Sequence, residues 1–207
     1  MMQTDRRSRP LSPATFAEFY LRLHQKSINS AKLFDSSWTC HTPHRGDTLR
    51  WSKNALPLAT IGKASVPLFA NFLDRLILLT PSECQKLLGT AVLLSRREAF
   101  RHCIDGGKIR ALQAALGTAS VAAVLKSTSI QKAPTTGSDW QMTSLLAEAF
   151  SHVEQVCQGP RKMVLETIKV ALPRQLPVLQ SSYDETSFDN LLREVCAWYP
   201  ELTWLFG

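Results

Sequence analysis

The residues best able to do chemistry are the thiol and two imidazoles of Cys40-His41-Thr42-Pro43-His44. Such groups are sound zinc ligands, but adjacent Cys40 and His41 would have to point the same way, and no fourth ligand stands nearby. A polar loop carrying an incidental thiol is the expectation, with no metal bound. His102-Cys103 sets a base beside a nucleophile, yet consecutive helical residues diverge by about 100° and cannot share a proton. Asp105-Gly106-Gly107-Lys108 has the look of a phosphate loop, but the glycine needed five positions before Gly107 is His102, and Ile109 replaces the metal-binding hydroxyl. Ser129-Ile130-Gln131-Lys132 has S-x-x-K spacing without a K-T-G partner, inside a polar stretch. Neither a G-x-S-x-G elbow nor an H-E-x-x-H pair occurs. The expectation is a protein with no catalytic, cofactor-binding or metal-ligating residues.

Two other clusters point to binding. Arg96, Arg97, Arg101, Lys108 and Arg110 crowd around Gly106-Gly107. They form either a solvated helix face or an anion-facing docking surface, since arginine's forked donors suit directional pairing with acids. The last twelve residues hold four aromatics: Trp198, Tyr199, Trp204 and Phe206. Free termini are usually polar and frayed, so this much apolar surface is buried either on the chain's own core or against a partner.

Composition narrows the class. The 207 residues are 44 % hydrophobic and 20 % charged, a globular balance. No window approaches the ~18 uninterrupted apolar residues of a membrane span, so no membrane insertion is expected. Arg6, Arg7 and Arg9 precede Pro10, Ser12 and Pro13 where a signal peptide needs an apolar core, so export by that route is not expected. Five widely spaced cysteines with no C-x-x-C pair fit a reducing cytosol. The net charge of +7 is uneven: residues 1 to 104 carry fifteen Lys/Arg against seven Asp/Glu. A basic first half suits nucleic acid, an anionic membrane surface or an acidic protein alike. Aromatic interleaving for single-stranded nucleic acid is limited to Phe100. A helical nucleic-acid-binding regulator is therefore the alternative function, and no nucleic acid is expected among the partners of the favoured one.

The elements that must position these residues read as helix after helix. Ser12-Pro13 starts one near 13–26, with Phe16, Phe19, Tyr20 and Leu23 at helical spacing. Residues 27 to 64 are irregular, with Trp38 and Trp51 as core anchors and a hairpin conceivable near 58–66 around Gly62-Lys63. Phe69, Phe72, Leu73 and Leu76 mark a further helix. Thr80-Pro81-Ser82-Glu83 is a capping box opening the next, whose run Leu87 to Leu94 is apolar almost all round and so belongs at the centre. Ser95-Arg96-Arg97-Glu98 reads as a second capping box, opening a short basic helix that Gly106-Gly107 ends. Ile109 to Leu116 and Val121 to Leu125 follow. Polar residues 127–138 form a surface loop. Three helices come after it: Trp140 to Cys157, Arg161 to Leu172 and Phe188 to Tyr199. The sum is an all-α fold of eight or nine helices: a flexible basic arm at 1–11, then one compact domain over 12–207.

Three stretches together resemble the YscK/SctK family of bacterial type III secretion. They are Ser12-Pro13-Ala14-Thr15-Phe16-Ala17-Glu18-Phe19-Tyr20-Leu21, the Leu88-Gly89 helix leading into Ser95 to Ile104, and Leu191-Leu192-Arg193-Glu194-Val195 through Pro200-Glu201-Leu202-Thr203-Trp204-Leu205-Phe206. The resemblance touches both ends and the middle, while residues 27 to 64 and 127–138 match nothing in it. It implies a non-enzymatic cytoplasmic adaptor of the injectisome sorting platform, peripheral to the inner membrane. Such an adaptor links the cytoplasmic domain of the inner-membrane ring protein to the pod protein, and through it, indirectly, to the stator and ATPase. The candidate partner-binding residues are then Arg96, Arg97, Arg101, Trp198, Tyr199, Trp204 and Phe206. The arm Arg6, Arg7, Arg9 has no counterpart in the family.

Overall fold

A computed structural model describes residues 13–28, 69, 72–128, 139–157, 161–179 and 185–206. The arm 1–11, the hairpin near 58–66, Trp38, Trp51, the Cys40-His41-His44 cluster and residues 129–138 of the expected loop lie outside them. The described residues form eight helices of five residues or more and two four-residue helical turns, with no strand among them.

Helix α1 runs Pro13–Ile28 and buries Phe19. The next segment departs from expectation. Phe69 lies outside any helix with φ +76°, a left-handed backbone that is strained for a residue with a Cβ. Arg75 Nε donates to the Phe69 carbonyl at 3.0 Å and helps hold that turn. The helix therefore shrinks to α2, Phe72–Arg75, followed by a 3₁₀ turn at Leu76–Leu78.

Helix α3, Pro81–Ser95, opens on the expected capping box. The Glu83 amide donates to Thr80 Oγ1 at 3.3 Å, and the Thr80 amide donates to the Glu83 carboxylate at 2.8 Å. The reciprocal bonds satisfy donors that a helix start otherwise leaves orphaned. Replacing Thr80 by alanine is expected to cost about 1 kcal/mol, lowering the melting temperature by roughly 2–4 °C in a thermal scan.

The second capping box does not form. Ser95 still belongs to α3, and its hydroxyl donates to the Val92 carbonyl at 2.6 Å. The N-cap position of α4, Arg97–Arg101, is Arg96, which makes no side-chain cap. Nor do the glycines stop α4, which ends at the His102 cap. Gly106 and Gly107 instead begin α5, Gly106–Leu116, where Asp105 Oδ1 accepts from the amides of Gly107 at 2.9 Å and Lys108 at 3.1 Å. The reason is local: an aspartate one residue before the glycines is a strong N-cap, and it outcompetes a glycine stop. Gly117, at φ +95°, turns the chain from α5 into α6, Thr118–Lys126.

Helices α7 (Met142–Val156), α8 (Lys162–Ala171) and α9 (Glu185–Cys196) follow, then a 3₁₀ turn at Pro200–Leu202 and α10, Thr203–Phe206. The centre of the fold is α3, packed most extensively on α7 and α9 and also on α5, α6 and α8. Every residue from Leu87 to Ser95 is buried, as an all-round apolar helix requires. At Gly89 an added Cβ would stand 2.8 Å from Met142 Cε and 3.1 Å from Leu116 Cδ2, so the side chains of α5 and α7 pack closely on α3 at this point. One hydrophobic core runs from Phe19 to Leu205.

Candidate functional site

The structure treats the three arginines differently. Arg96 is 8 % exposed and forms an ion pair with Glu148 of α7, itself buried. Arg97 is also 8 % exposed; its guanidinium donates to the Ser127 carbonyl and pairs with Glu98. Arg101 lies at the surface, bonded to Glu98 at 3.0 Å and to the Leu125 carbonyl at 2.8 Å. Hydrogen bonding from Arg97 is the main cause holding the Glu98 carboxyl below its ordinary range.

The expected surface of three arginines is thus reduced to Arg101, with Lys108 and Arg110 exposed farther along. The physical reason is twofold: Glu148 pairs with Arg96 in the core, and the end of α6 engages Arg97. The last carbonyls of a helix lack intrahelical partners, and Arg97 and Arg101 supply donors to Leu125 and Ser127. Ser127 Oγ in turn donates to Glu194 of α9 at 2.7 Å. The first residue of the expected 127–138 loop is therefore pinned to two helices.

The tail folds back on its own core. Tyr199, Leu202 and Leu205 are buried. The Tyr199 hydroxyl lies 2.9 Å from Thr90 Oγ1 and donates to the Leu116 carbonyl at 3.3 Å. Trp204 meets the Phe19 ring edge-on at a centroid distance of 6.0 Å, and the Arg22 guanidinium covers its face at 3.8 Å. Arg75 donates to the Leu205 carbonyl at 3.1 Å, tying the tail to α2. Burial lowers the Arg75 pKa, the nearby Arg193 charge adds to this, and Asp74 opposes it. Trp198 is half-buried and packs against the core. The Phe206 side chain lies outside the described part. The arginine cluster and the aromatic tail are not brought together into one site.

Other groups with chemical potential are dispersed. Cys84, Cys157 and Cys196 are buried, and burial pushes the Cys196 thiol well above its ordinary value. Among the described residues, no three His, Cys, Asp or Glu side chains gather as a metal requires, and no helix is long and apolar enough to cross a membrane. A groove of about 250 Å³ runs between α7 and the extended segment after α8, lined by Phe150, Glu154, Leu176, Pro177, Val178 and Leu179. Ile104 and Val178 are almost wholly exposed, and Leu125 and Leu179 are partly so.

Sequence reading missed Glu148, the partner of Arg96. Its signal was available: an acid set among Leu145, Leu146, Ala149 and Val153, on the face of α7 that must be buried.

The fold and its candidate residues define an all-α protein built around one buried helix, with its arginines and aromatic tail engaged largely in its own packing. The sequence supplies the particular kinship. Residues 15–201 match the family described as Bacterial type III secretion protein (HrpB4), and the chain belongs to that family. No curated protein and no solved structure matches it.

Proposed function

We propose that this chain is a non-enzymatic cytoplasmic adaptor of the injectisome sorting platform, of the YscK/SctK kind, needed for protein secretion and virulence. It links the cytoplasmic domain of the inner-membrane ring protein to the pod protein and, through that, indirectly to the stator and ATPase. It is held at the inner membrane by these protein contacts alone. The observation that carries the reading is membership of a type III secretion family over residues 15–201. Two features support it. The basic exposed side chains Arg101, Lys108 and Arg110 suit an acidic protein face. The tail that completes the core gives a rigid body able to hold two partners at a fixed separation.

No observation favours the nucleic-acid regulator. Phe100, the aromatic within the basic helix α4, is buried against the Trp140 ring at 5.2 Å and offers no face for a base to stack on.

The test is reconstitution from purified components. The full-length protein is expected to bind the ring-protein domain and the pod protein at once, forming a ternary complex in size-exclusion chromatography. Deleting its gene is expected to abolish secretion. Binding to neither protein, or tight nucleic-acid binding that falls steeply with salt, overturns the reading.

A further inference from the structure

Three arginines converge where α2 packs on α9, and a single carboxylate serves them. Asp74 accepts from Arg161 at 2.9 and 3.1 Å. Arg75, the next residue, is 8 % exposed and aims its donors at backbone: Nε reaches the Phe69 carbonyl at 3.0 Å, and Nη1 reaches the Leu205 carbonyl at 3.1 Å. Its remaining nitrogen, Nη2, meets no acceptor among the described residues. From α9, Arg193 lays its guanidinium over the Phe72 ring, 5.2 Å from the ring centre, and is otherwise exposed. Phe72 and Arg75 stand three residues apart on the single turn of α2, the spacing that puts two side chains on one helical face. The two charges act on each other: Arg193 adds to the burial that lowers the Arg75 pKa, and Asp74 opposes them without cancelling them. Among the described residues no carboxylate forms an ion pair with Arg75 or Arg193, and Asp189, one turn before Arg193, does not pair with it.

We propose that Arg75 and Arg193 form a binding site for one phosphate group, free or as a monoester, beside the Phe72 ring. A guanidinium stacked on a ring keeps its in-plane N–H donors at the edge, where they match two oxygens of an oxyanion. Arg75 is already held by two carbonyls, so its donor is set before a ligand arrives and little ordering is lost on binding. An anion there replaces repulsion between like charges with attraction, and the burial of Arg75 keeps salt from screening that attraction as it screens a surface pair. Charge selects phosphate over carboxylate. Arg161 matches Asp74, so Arg75 and Arg193 leave two positive charges, which a phosphate monoester carrying about −1.5 to −2 near neutral pH balances and one carboxylate does not.

This site does not depend on the adaptor reading. Its test is a titration of the full-length, nitrogen-labelled protein followed by NMR at the arginine Nε–H signals, with ionic strength held constant by chloride. The probes are inorganic phosphate, the monoester glycerol 3-phosphate, and N-acetylglutamate as the carboxylate. Wild type is expected to show saturable shifts of the Arg75 and Arg193 signals with phosphate; equal saturation by the monoester assigns the site to an esterified ligand, and saturation by inorganic phosphate alone assigns it to the free ion. Arg193→Gln is expected to weaken phosphate binding roughly tenfold or more at an unchanged melting temperature, because the exposed side chain supplies half of the charge. Arg193→Lys, which keeps the charge and loses the fork, is expected to fall between the two. Lys169→Gln, an exposed cation on α8, is expected to bind as wild type does. The absence of a saturable shift with either phosphate probe overturns the site, as does undiminished binding by Arg193→Gln or an equal loss in Lys169→Gln. N-acetylglutamate binding as tightly as phosphate overturns the assigned ligand.

Discussion

Replacing Glu148 by leucine is expected to destabilise the protein by about 3–5 kcal/mol, because it removes the carboxylate paired with the buried Arg96 guanidinium. That is a large part of the roughly 5–15 kcal/mol that holds a domain together. The double change Arg96→Met/Glu148→Leu is expected to recover most of the loss, since it removes both charges and leaves apolar groups of similar volume. Urea denaturation of the two variants and of each single change completes the cycle. A cost below about 1 kcal/mol for Glu148→Leu would show that the pair is solvated rather than buried. The same geometry limits what a charge reversal can report. Arg96→Glu sets two carboxylates side by side in the core, so a protein reversed at Arg96, Arg97 and Arg101 together is expected to unfold. Arg101→Glu, at the surface, is the change that addresses binding.

The second large effect lies at the tail. Leu202→Ala and Leu205→Ala are each expected to cost about 2–5 kcal/mol, as fully enclosed leucines do when they leave a cavity behind. Together they approach the whole stability, so the double variant is expected to lack a cooperative thermal transition by circular dichroism. Leu179→Ala, a partly exposed leucine, serves as comparison and is expected to change stability by less than about 0.5 kcal/mol. Near-native melting of the double variant would mean that the tail is dispensable to the core and free to dock elsewhere.

Most of the helices were legible because caps and periodicity are local. Thr80-Pro81-Ser82-Glu83 closes its box with residues three apart, and the apolar run Leu87 to Leu94 has only one place to go. Errors arose where two local signals competed. Ser95 to Glu98 has the spacing of a cap, but α3 keeps Ser95 in its last turn. Gly106-Gly107 reads as a stop until Asp105 is seen to cap the helix they begin. The Phe69 turn depends on Arg75 reaching back to its carbonyl, a contact that periodicity does not encode.

The candidate site was less legible, because whether an arginine is surface or core depends on partners far along the chain. Glu148 stands 52 residues from Arg96, and Ser127 stands 30 from Arg97. The aromatic tail was ambiguous for the same reason: Phe19 and Thr90, which receive Trp204 and Tyr199, are distant in sequence. The exposure of Ile104 follows from where α4 ends and where Asp105 caps α5, neither of which the sequence reading placed.

The central position of α3 also bears on how the chain is made. About 90 residues separate its end at Ser95 from the start of α9 at Glu185, one of its two main packing partners. At roughly 5–20 residues per second, a ribosome takes about 5–20 s to synthesise that interval. Throughout it, α3 is in the nascent chain without one of the two helices that pack most extensively on it. A helix apolar on all sides has no water-facing surface to shelter behind, so the waiting chain is a ready substrate for holdase chaperones and for aggregation. Stalled or truncated products, more than the finished protein, are then the species that a cell has to manage.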